Sequence, residues 1–361
     1  MFQYAENAVD LSQKRKFGTK DLAKRIGVIS PDRIHIRNYL IDSPITAFNP
    51  AMVIKGDIVY LFPRAILGYF MYVSAILKME IPVEDLSEDV MNFSDYSAEI
   101  VVYPSIRYDL WGTEDPRAIE INGRVFMVYV GRGINYFNPS IRYERTLPIV
   151  AEAVDKRLNK WEKKAVLVLD QRFRRILISD KDAFIVKTSE SDVLLFHRPH
   201  MMDERYYLTV STVSKKDFLE TEFDSKPAEI EVKNTRIILE PQDFEVKLGW
   251  AAPPIEIERD TYLALVHGID REIEAYRVFA AIIKYEKDVG ARPIAVTPYY
   301  IMEPKMLYEI FGDRPYVVFP CGNAVIDDKL IVAYGAADYA IGFAEIPMDV
   351  LISELDKMMI D

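Results

Sequence analysis

EDPRAIEINGRVFMVYVGR, residues 114–132, decides the fold. It opens on polar residues and a proline, then runs through an apolar stretch to Asn122-Gly123. It returns through a second apolar stretch to Gly131-Arg132. Asn-Gly between two β-rich runs is a strong short-range hairpin signal. The same shape recurs in FNPAMVIKGDIVYLFPR (48–64), DKDAFIVKTSESDVLLFHRP (180–199), WAAPPIEIERDTYLALVHGI (250–269) and VFPCGNAVIDDKLIVAYGAAD (318–338). The turns centre near Gly56, Asn122, Glu190, Arg259 and Asp327, so the unit repeats roughly every 68 residues.

A four-stranded propeller blade takes about 40–50 residues plus loops. Five such units use most of the chain. The sequence therefore predicts an all-β protein, a five-bladed β-propeller with short terminal helices, as one domain over residues 1–361. The competing organisation is a two-domain β protein with accidental similarity between the hairpins. Residues 1–30 are expected to form a helical extension, because Asn7–Arg25 has a helix-compatible composition. Residues 347–361 are expected to form a C-terminal helix, since PMDVLISELDKMM spaces its apolar residues helically.

Composition narrows the function classes. Half of the 361 residues are hydrophobic and 28% are charged, enough for a sizeable core. Net charge is −11, which argues against nucleic acid or an anionic membrane as a partner held by bulk charge. Cys321 is the only cysteine, so no intrachain disulfide or cysteine-based zinc site is expected. MFQYAENAVDLSQKRK carries charges where a signal peptide needs its apolar stretch. The longest uncharged apolar run, between Arg64 and Lys78, is shorter than the ~20 residues a bilayer needs. A cytoplasmic protein is expected, with the terminal helices available to a homo-oligomer.

In a hairpin, the start of the first strand and the end of the second share one open end. Five open ends would meet at one mouth of a central channel. They bring Asn49, Arg64, Asp115, Arg117, Arg132, Lys181, Asp182, His197, Arg198, His267, Tyr334 and Asp338 together. Each has an ordinary reading. Asp115 precedes Pro116, a common turn starter, and Arg117 and Arg198 can pair with nearby carboxylates. Lys181-Asp182 can be a solvated turn, and His197 and His267 can be structural histidines ending apolar strands. His197 and His200 make a weak metal pair with no ligand cluster nearby, so no metal is expected. Recurrence at equivalent ends of the repeats favours a site.

Acids among arginine, lysine and histidine suit a neutral polyol substrate plus an anion. Glycoside cleavage needs a general acid on the leaving oxygen and a nucleophile at the anomeric carbon. In an inverting hydrolase a second carboxylate activates water. In phosphorolysis, phosphate attacks and cationic groups replace that carboxylate.

At these residues the sequence resembles glycoside hydrolase family 130, the β-mannoside phosphorylases and related β-mannosidases, built as five-bladed propellers. The likeness rests on GTEDPRAIEINGRVFMVYVGR, KDAF…LLFHRP, KLGWAAPPIEIERDTYLALVHG, RPYVVFPCGNAVIDDKLIVAYGAADYAIGFA and, near the start, FNPAMVI. The resemblance implies that Asp115 is the general acid, its proton travelling through the sugar's 3-hydroxyl. It implies phosphate held by Arg64, Lys181 and His267, and a mannosyl ring held by Asn49, Arg117 and Asp338. His197, Arg198 and Tyr334 join the sugar-binding set from the mouth. Inorganic phosphate is the implied co-substrate, a short oligosaccharide the partner, and no cofactor is needed.

Three departures stand out. Ile149 occupies the place of a further phosphate arginine, with Arg145 and Arg132 as candidates to substitute. The segment after the first hairpin reads AILGYFMYVSAILKMEI, and Trp250-Ala251-Ala252 replaces a glycine-rich stretch, which alters the acceptor side. The leading expectation is an inverting β-mannoside phosphorylase releasing α-mannose 1-phosphate, from a mouth that is locally positive. An inverting β-mannosidase would need a second carboxylate about 6.5–9.5 Å from Asp115, with Glu114, Asp338 and Glu256 as candidates. A non-catalytic glycan-binding propeller is the third reading.

Overall fold

Every one of the five sequence hairpins is a hairpin in the structure, a computed structural model that describes residues 2–190, 192–220 and 226–360. Met1 and Asp361, at the ends of the two expected helices, and Ser191, in the third hairpin, lie outside the described residues. The first hairpin joins Thr46–Lys55 to Ile58–Ile66 and the second Thr113–Ile121 to Arg124–Arg132. The third joins Leu177–Lys187 to Asp192–Met201 and the fifth Val318–Ile326 to Lys329–Ala336. In the fourth, Pro253-Pro254 breaks the first strand into Glu245–Trp250 and Ile255–Glu258, both paired with Thr261–Asp270. Proline has no N–H for the ladder, so the break falls there. Asn122-Gly123 and Asp327-Asp328 are two-residue turns with all four φ angles positive, the geometry that matches the twist of the flanking strands.

Two further strands extend each hairpin into an antiparallel meander. They are Ser74–Pro82 and Tyr96–Val102 in the first, Thr146–Ala153 and Trp161–Val168 in the second, and Leu208–Ser214 and Lys233–Leu239 in the third. The fourth adds Tyr276–Glu286 and Gly290–Val296. The fifth adds Ala340–Pro347, and its fourth strand is Lys24–Ile29, with Arg25 opposite Ala344.

The strands are apolar on both faces because each sheet is covered on both. Val193 and Leu195 face the second meander, while Leu194 and Phe196 face the fourth. Leu330 and Val332 face the fourth, while Ile331 and Ala333 face the first. The cores join the first, second and third meanders, then third to fourth, fourth to fifth, and fifth to first. The all-β class is as expected. No helix among the described residues is long and apolar enough to cross a membrane.

The helical extension over residues 1–30 is not formed. Only Ala8–Gln13 is helical, and Lys24–Ile29 is a strand. Tertiary pairing overrides composition here. Arg15 turns inward to a two-pronged ion pair with Glu245 (2.6 and 2.8 Å), and Ile26 and Ile29 fill the core between the fifth and first sheets. The C-terminal helix is shorter than expected, Met348–Asp356, and buries Leu351 and Leu355.

Candidate active site

The first strands of the first three meanders bulge at the same place. Their registers shift between Phe48 and Ala51, Glu114 and Arg117, and Lys181 and Phe184. Asn49, Asp115 and Asp182 sit in those bulges at φ of 49°, 48° and 53°. Asn and Asp tolerate the left-handed region better than other non-glycine residues. A bulge kinks the strand and re-aims its side chain. All three reach one cavity of about 270 Å³, which Arg64, Lys181, Arg198, His267 and Asp338 also line.

Asp115 Oδ1 accepts hydrogen bonds from Asn49 Nδ2 (2.8 Å) and Arg64 Nη1 (3.1 Å). Among the described residues its Oδ2 has no hydrogen-bond partner. Arg64 Nη2 also donates to Glu114 Oε1 at 2.6 Å. Lys181 Nζ donates to Glu114 Oε2 (2.9 Å), and Arg132 Nε lies 2.5 Å from Oε1. Glu114 is 1% exposed. Burial alone would raise its pKa, but Arg64, Lys181 and Arg132 outweigh that and hold it well below the usual carboxylate range. Glu114 is thus a hub for three cations rather than a base for water. Of the two candidate arginines Arg132 reaches Glu114, although it does not line the cavity, while Ile149 is fully buried in the core.

His267 lies 3.5 Å from Asp182, packs on Phe319, and has no hydrogen bond to either ring nitrogen. Burial pushes its pKa down to about 3, with Arg198, Arg117 and Lys247 adding to the effect and Asp182 opposing it. The ring is therefore neutral at pH 7. Gly249 leaves the room that His267 and Asp182 occupy; a Cβ there would overlap both. Asp338 is raised to about 6 by burial, with Asp115 adding and Arg64 opposing.

Four expected residues point elsewhere. Arg117, two positions past the bulge, donates to the carbonyls of Asp115, Trp250 and Ala251 beneath the cavity. It braces the backbone there and does not itself line the cavity. His197 is 0% exposed between Asp180 (2.7 Å) and Ser211 (2.8 Å). Tyr334 faces the core between the fourth and fifth sheets and donates to Glu309 at 2.6 Å. The guanidinium of Arg145 is held on the carbonyl of Tyr136 and does not line the cavity. Side chains alternate between faces along a strand, so an end position alone does not set direction. Glu256 lies near the far turn, accepting from the Asp260 N–H, away from the mouth.

Sequence reasoning missed Lys247, Arg314, Tyr206 and Tyr276, which also line the cavity. Lys247 lies on the first strand of the fourth hairpin but ahead of the repeated stretch that starts at Trp250, and the other three lie outside the hairpins, so no repeat signal marks them. Among the described residues no group of three or more His, Cys, Asp or Glu side chains is placed to hold a metal ion. A carboxylate with one free oxygen, ringed by cations and a neutral imidazole, can donate a proton and bind an anion in the same cavity.

Residues 13–357 match the family model of glycoside hydrolase family 130, described as beta-1,4-mannooligosaccharide phosphorylase. Two relatives from Thermoanaerobacter sp. (strain X514) are each 29% identical over 83% of this chain. They are a 1,2-beta-oligomannan phosphorylase, covered over 90% of its length, and a beta-1,2-mannobiose phosphorylase, covered over 89%. The fold is similar to that of beta-1,2-mannobiose phosphorylase from Listeria innocua, with a TM-score of 0.68 at 18% identity, over 91% of this chain and 97% of that one. With the family model spanning nearly the whole sequence, the chain belongs to glycoside hydrolase family 130.

Proposed function

We propose that this protein is an inverting phosphorylase of short β-mannosides, with inorganic phosphate as co-substrate. In this reading the five meanders are the blades of a propeller and the cavity is its central mouth. The observation that carries the reading is the charge of the lining. Five cationic side chains, Arg64, Lys181, Arg198, Lys247 and Arg314, line the cavity against three carboxylates, Asp115, Asp182 and Asp338, with Glu114 behind Arg64 and Lys181. Asp182 is bound by Arg198 at 2.5 Å, which takes it out of acid–base work.

Asp115 Oδ2 supplies the proton to the leaving oxygen, relayed through the 3-hydroxyl. A phosphate oxygen held by Arg64 and Lys181 attacks C1 from the opposite face. The C1–O bond breaks, its electron pair stays on the leaving oxygen, and inversion gives α-mannose 1-phosphate. Neutral His267 offers one N–H donor and one acceptor to phosphate or to a sugar hydroxyl. Asn49 and Asp338 hold the mannosyl ring. The relatives' names favour the β-1,2 linkage for the first trial.

The test is product analysis with β-1,2- and β-1,4-mannobiose, with and without phosphate. Phosphate-dependent mannose 1-phosphate is expected. Free mannose without phosphate would instead mark a hydrolase. Asp338 would then be the base, since it has no hydrogen bond from a cation among the described residues and a raised pKa.

A further inference from the structure

Each bulge in the first three meanders sets two residues of the first strand against one of the second. The pairs Phe48–Arg64 and Ala51–Phe62 leave Pro63 opposite Asn49-Pro50. Glu114–Val130 and Arg117–Val128 leave Tyr129 opposite Asp115-Pro116. Lys181–Arg198 and Phe184–Phe196 leave His197 opposite Asp182-Ala183. All three lone residues are buried. Pro63 has no N–H to leave unpaired in the ladder. Tyr129 and His197 are instead tied down by side-chain hydrogen bonds. The Tyr129 hydroxyl donates to Asp109 Oδ2 at 2.7 Å, and His197 is clasped by Asp180 and Ser211.

Asp109 is itself fixed. It is 0% exposed, its Oδ1 accepts from the N–H groups of Ser105 (2.9 Å) and Ile106 (3.0 Å), and its Oδ2 also accepts from Lys163 Nζ. Burial first, then Asp109, holds the Tyr129 pKa well above the usual phenol range, so the hydroxyl keeps its proton and stays a donor. The chain runs from Asp109 straight into the bulged strand. Gly112 donates its N–H to the Asp109 carbonyl at 2.9 Å, and the strand begins at Thr113. The Tyr129 bond therefore ties the entry of that strand to the residue facing its bulge. Asp115 sits in the bulge at a φ of 48°. A residue at positive φ stays there only where its surroundings over-determine it. Arg117 holds the Asp115 carbonyl, and Asn49 and Arg64 hold its Oδ1. Tyr129 backs the bulge from the partner strand.

We propose that Tyr129, locked by Asp109, is a positioning residue that holds the bulge aiming Asp115 into the cavity. The proposal rests on the reading of Asp115 as the general acid. Tyr129 does not line the cavity, so it acts through the backbone of the bulge. Its effect is confined to substrates that need the acid. In a mannobiose the C1–O bond breaks as a proton reaches the leaving oxygen, and a misaimed acid slows that step. In 2,4-dinitrophenyl β-mannoside the electron pair of that bond goes to a phenolate that is stable without a proton.

Tyr129→Phe removes the hydroxyl and keeps the ring; circular dichroism checks its fold. Its kcat/KM should fall by about ten- to a hundredfold on β-1,2-mannobiose, the scale of a displacement of roughly 1 Å, and by about threefold or less on the dinitrophenyl mannoside. Asp115→Asn should show the same selective loss, and a larger one. His197→Gln loosens the bulge of Asp182 instead, and should lower both substrates in equal proportion. Equal losses on both substrates in Tyr129→Phe overturn the proposal, because a purely structural defect gives that result. So does the absence of any loss, or an equally selective loss in His197→Gln.

Crystal structures of the wild type and Tyr129→Phe separate this proposal from the reading beneath it. Asp115 displaced from Asn49 and Arg64 in the variant supports the positioning role. If the wild type then turned over neither substrate, the acid reading would fall and the positioning would stand. Asp115 unmoved, with both contacts kept, overturns the positioning role whatever the kinetics.

Discussion

Glu114 and Asp115 are adjacent carboxylates with opposite duties. Glu114 has both oxygens bound by cations, while Asp115 keeps one oxygen free. Asp115→Asn should lower kcat by about 10²–10⁴-fold with the fold intact, the usual worth of a positioned acid; steady-state kinetics of phosphorolysis checks this, and unchanged turnover would remove Asp115 from the chemistry. Asp338 makes a stability prediction with a definite sign. Its folded pKa is raised to about 6 from 3.8, so its contribution is most favourable below pH 4 and is lost as pH rises through 6. Asp338→Asn should therefore match the wild type near pH 4 and exceed it by roughly 1–3 kcal/mol above pH 7 in urea melts. Tyr334→Phe tests the reassignment of that residue to the core. It should cost about 1–2 kcal/mol through the lost bond to buried Glu309, while KM for the mannoside stays as it was.

The bulged first strand is the element that makes the site. Asn49 has two jobs in its bulge, adopting positive φ and donating to Asp115. The two separate by substitution. Asn49→Ala should lose about 1–3 kcal/mol and activity together, whereas Asn49→Gly should recover part of the stability and none of the activity. Thermal melts beside kinetics decide it; equal activity in Asn49→Gly and the wild type would sink the donor role. These elements also show how much was legible beforehand. Turn chemistry and repetition reveal the hairpins, because two-residue turns have few sequence solutions. Repetition also brings Asn49, Arg64, Asp115, Lys181, Arg198, His267 and Asp338 to one cavity. It does not show which way a side chain leaves the strand. Arg117, His197 and Tyr334 share the open end and face away from the cavity. Lys247 precedes the repeated stretch of the fourth hairpin and Arg314 lies outside the hairpins, where nothing repeats. Lys24–Ile29 falls within the expected helical extension over residues 1–30, because its partner strand, Ala340–Pro347, is remote in the chain.

At the scale of the molecule, the fifth sheet takes three strands from one end of the chain and one from the other. The cores between neighbouring sheets then run without a gap from first to fifth and back. Deleting residues 1–30 removes that fourth strand and leaves Ala340–Pro347 with an unpaired edge. The deletion should lower the melting temperature sharply and broaden the calorimetric transition. A deletion variant melting like the full chain would show that the packed sheets do not depend on this pairing. The arrangement also sets an order of events during synthesis. Lys24–Ile29 leaves the ribosome long before its hydrogen-bonding partner, Ala340–Pro347, is made. Until then it is a solvent-facing ribbon with Ile26 and Ile29 uncovered, and a template for mispairing with neighbouring chains. Pairing across so long a loop is slow to nucleate. Protection of the Lys24–Ile29 amides should therefore be the last to appear in pulse-labelled refolding.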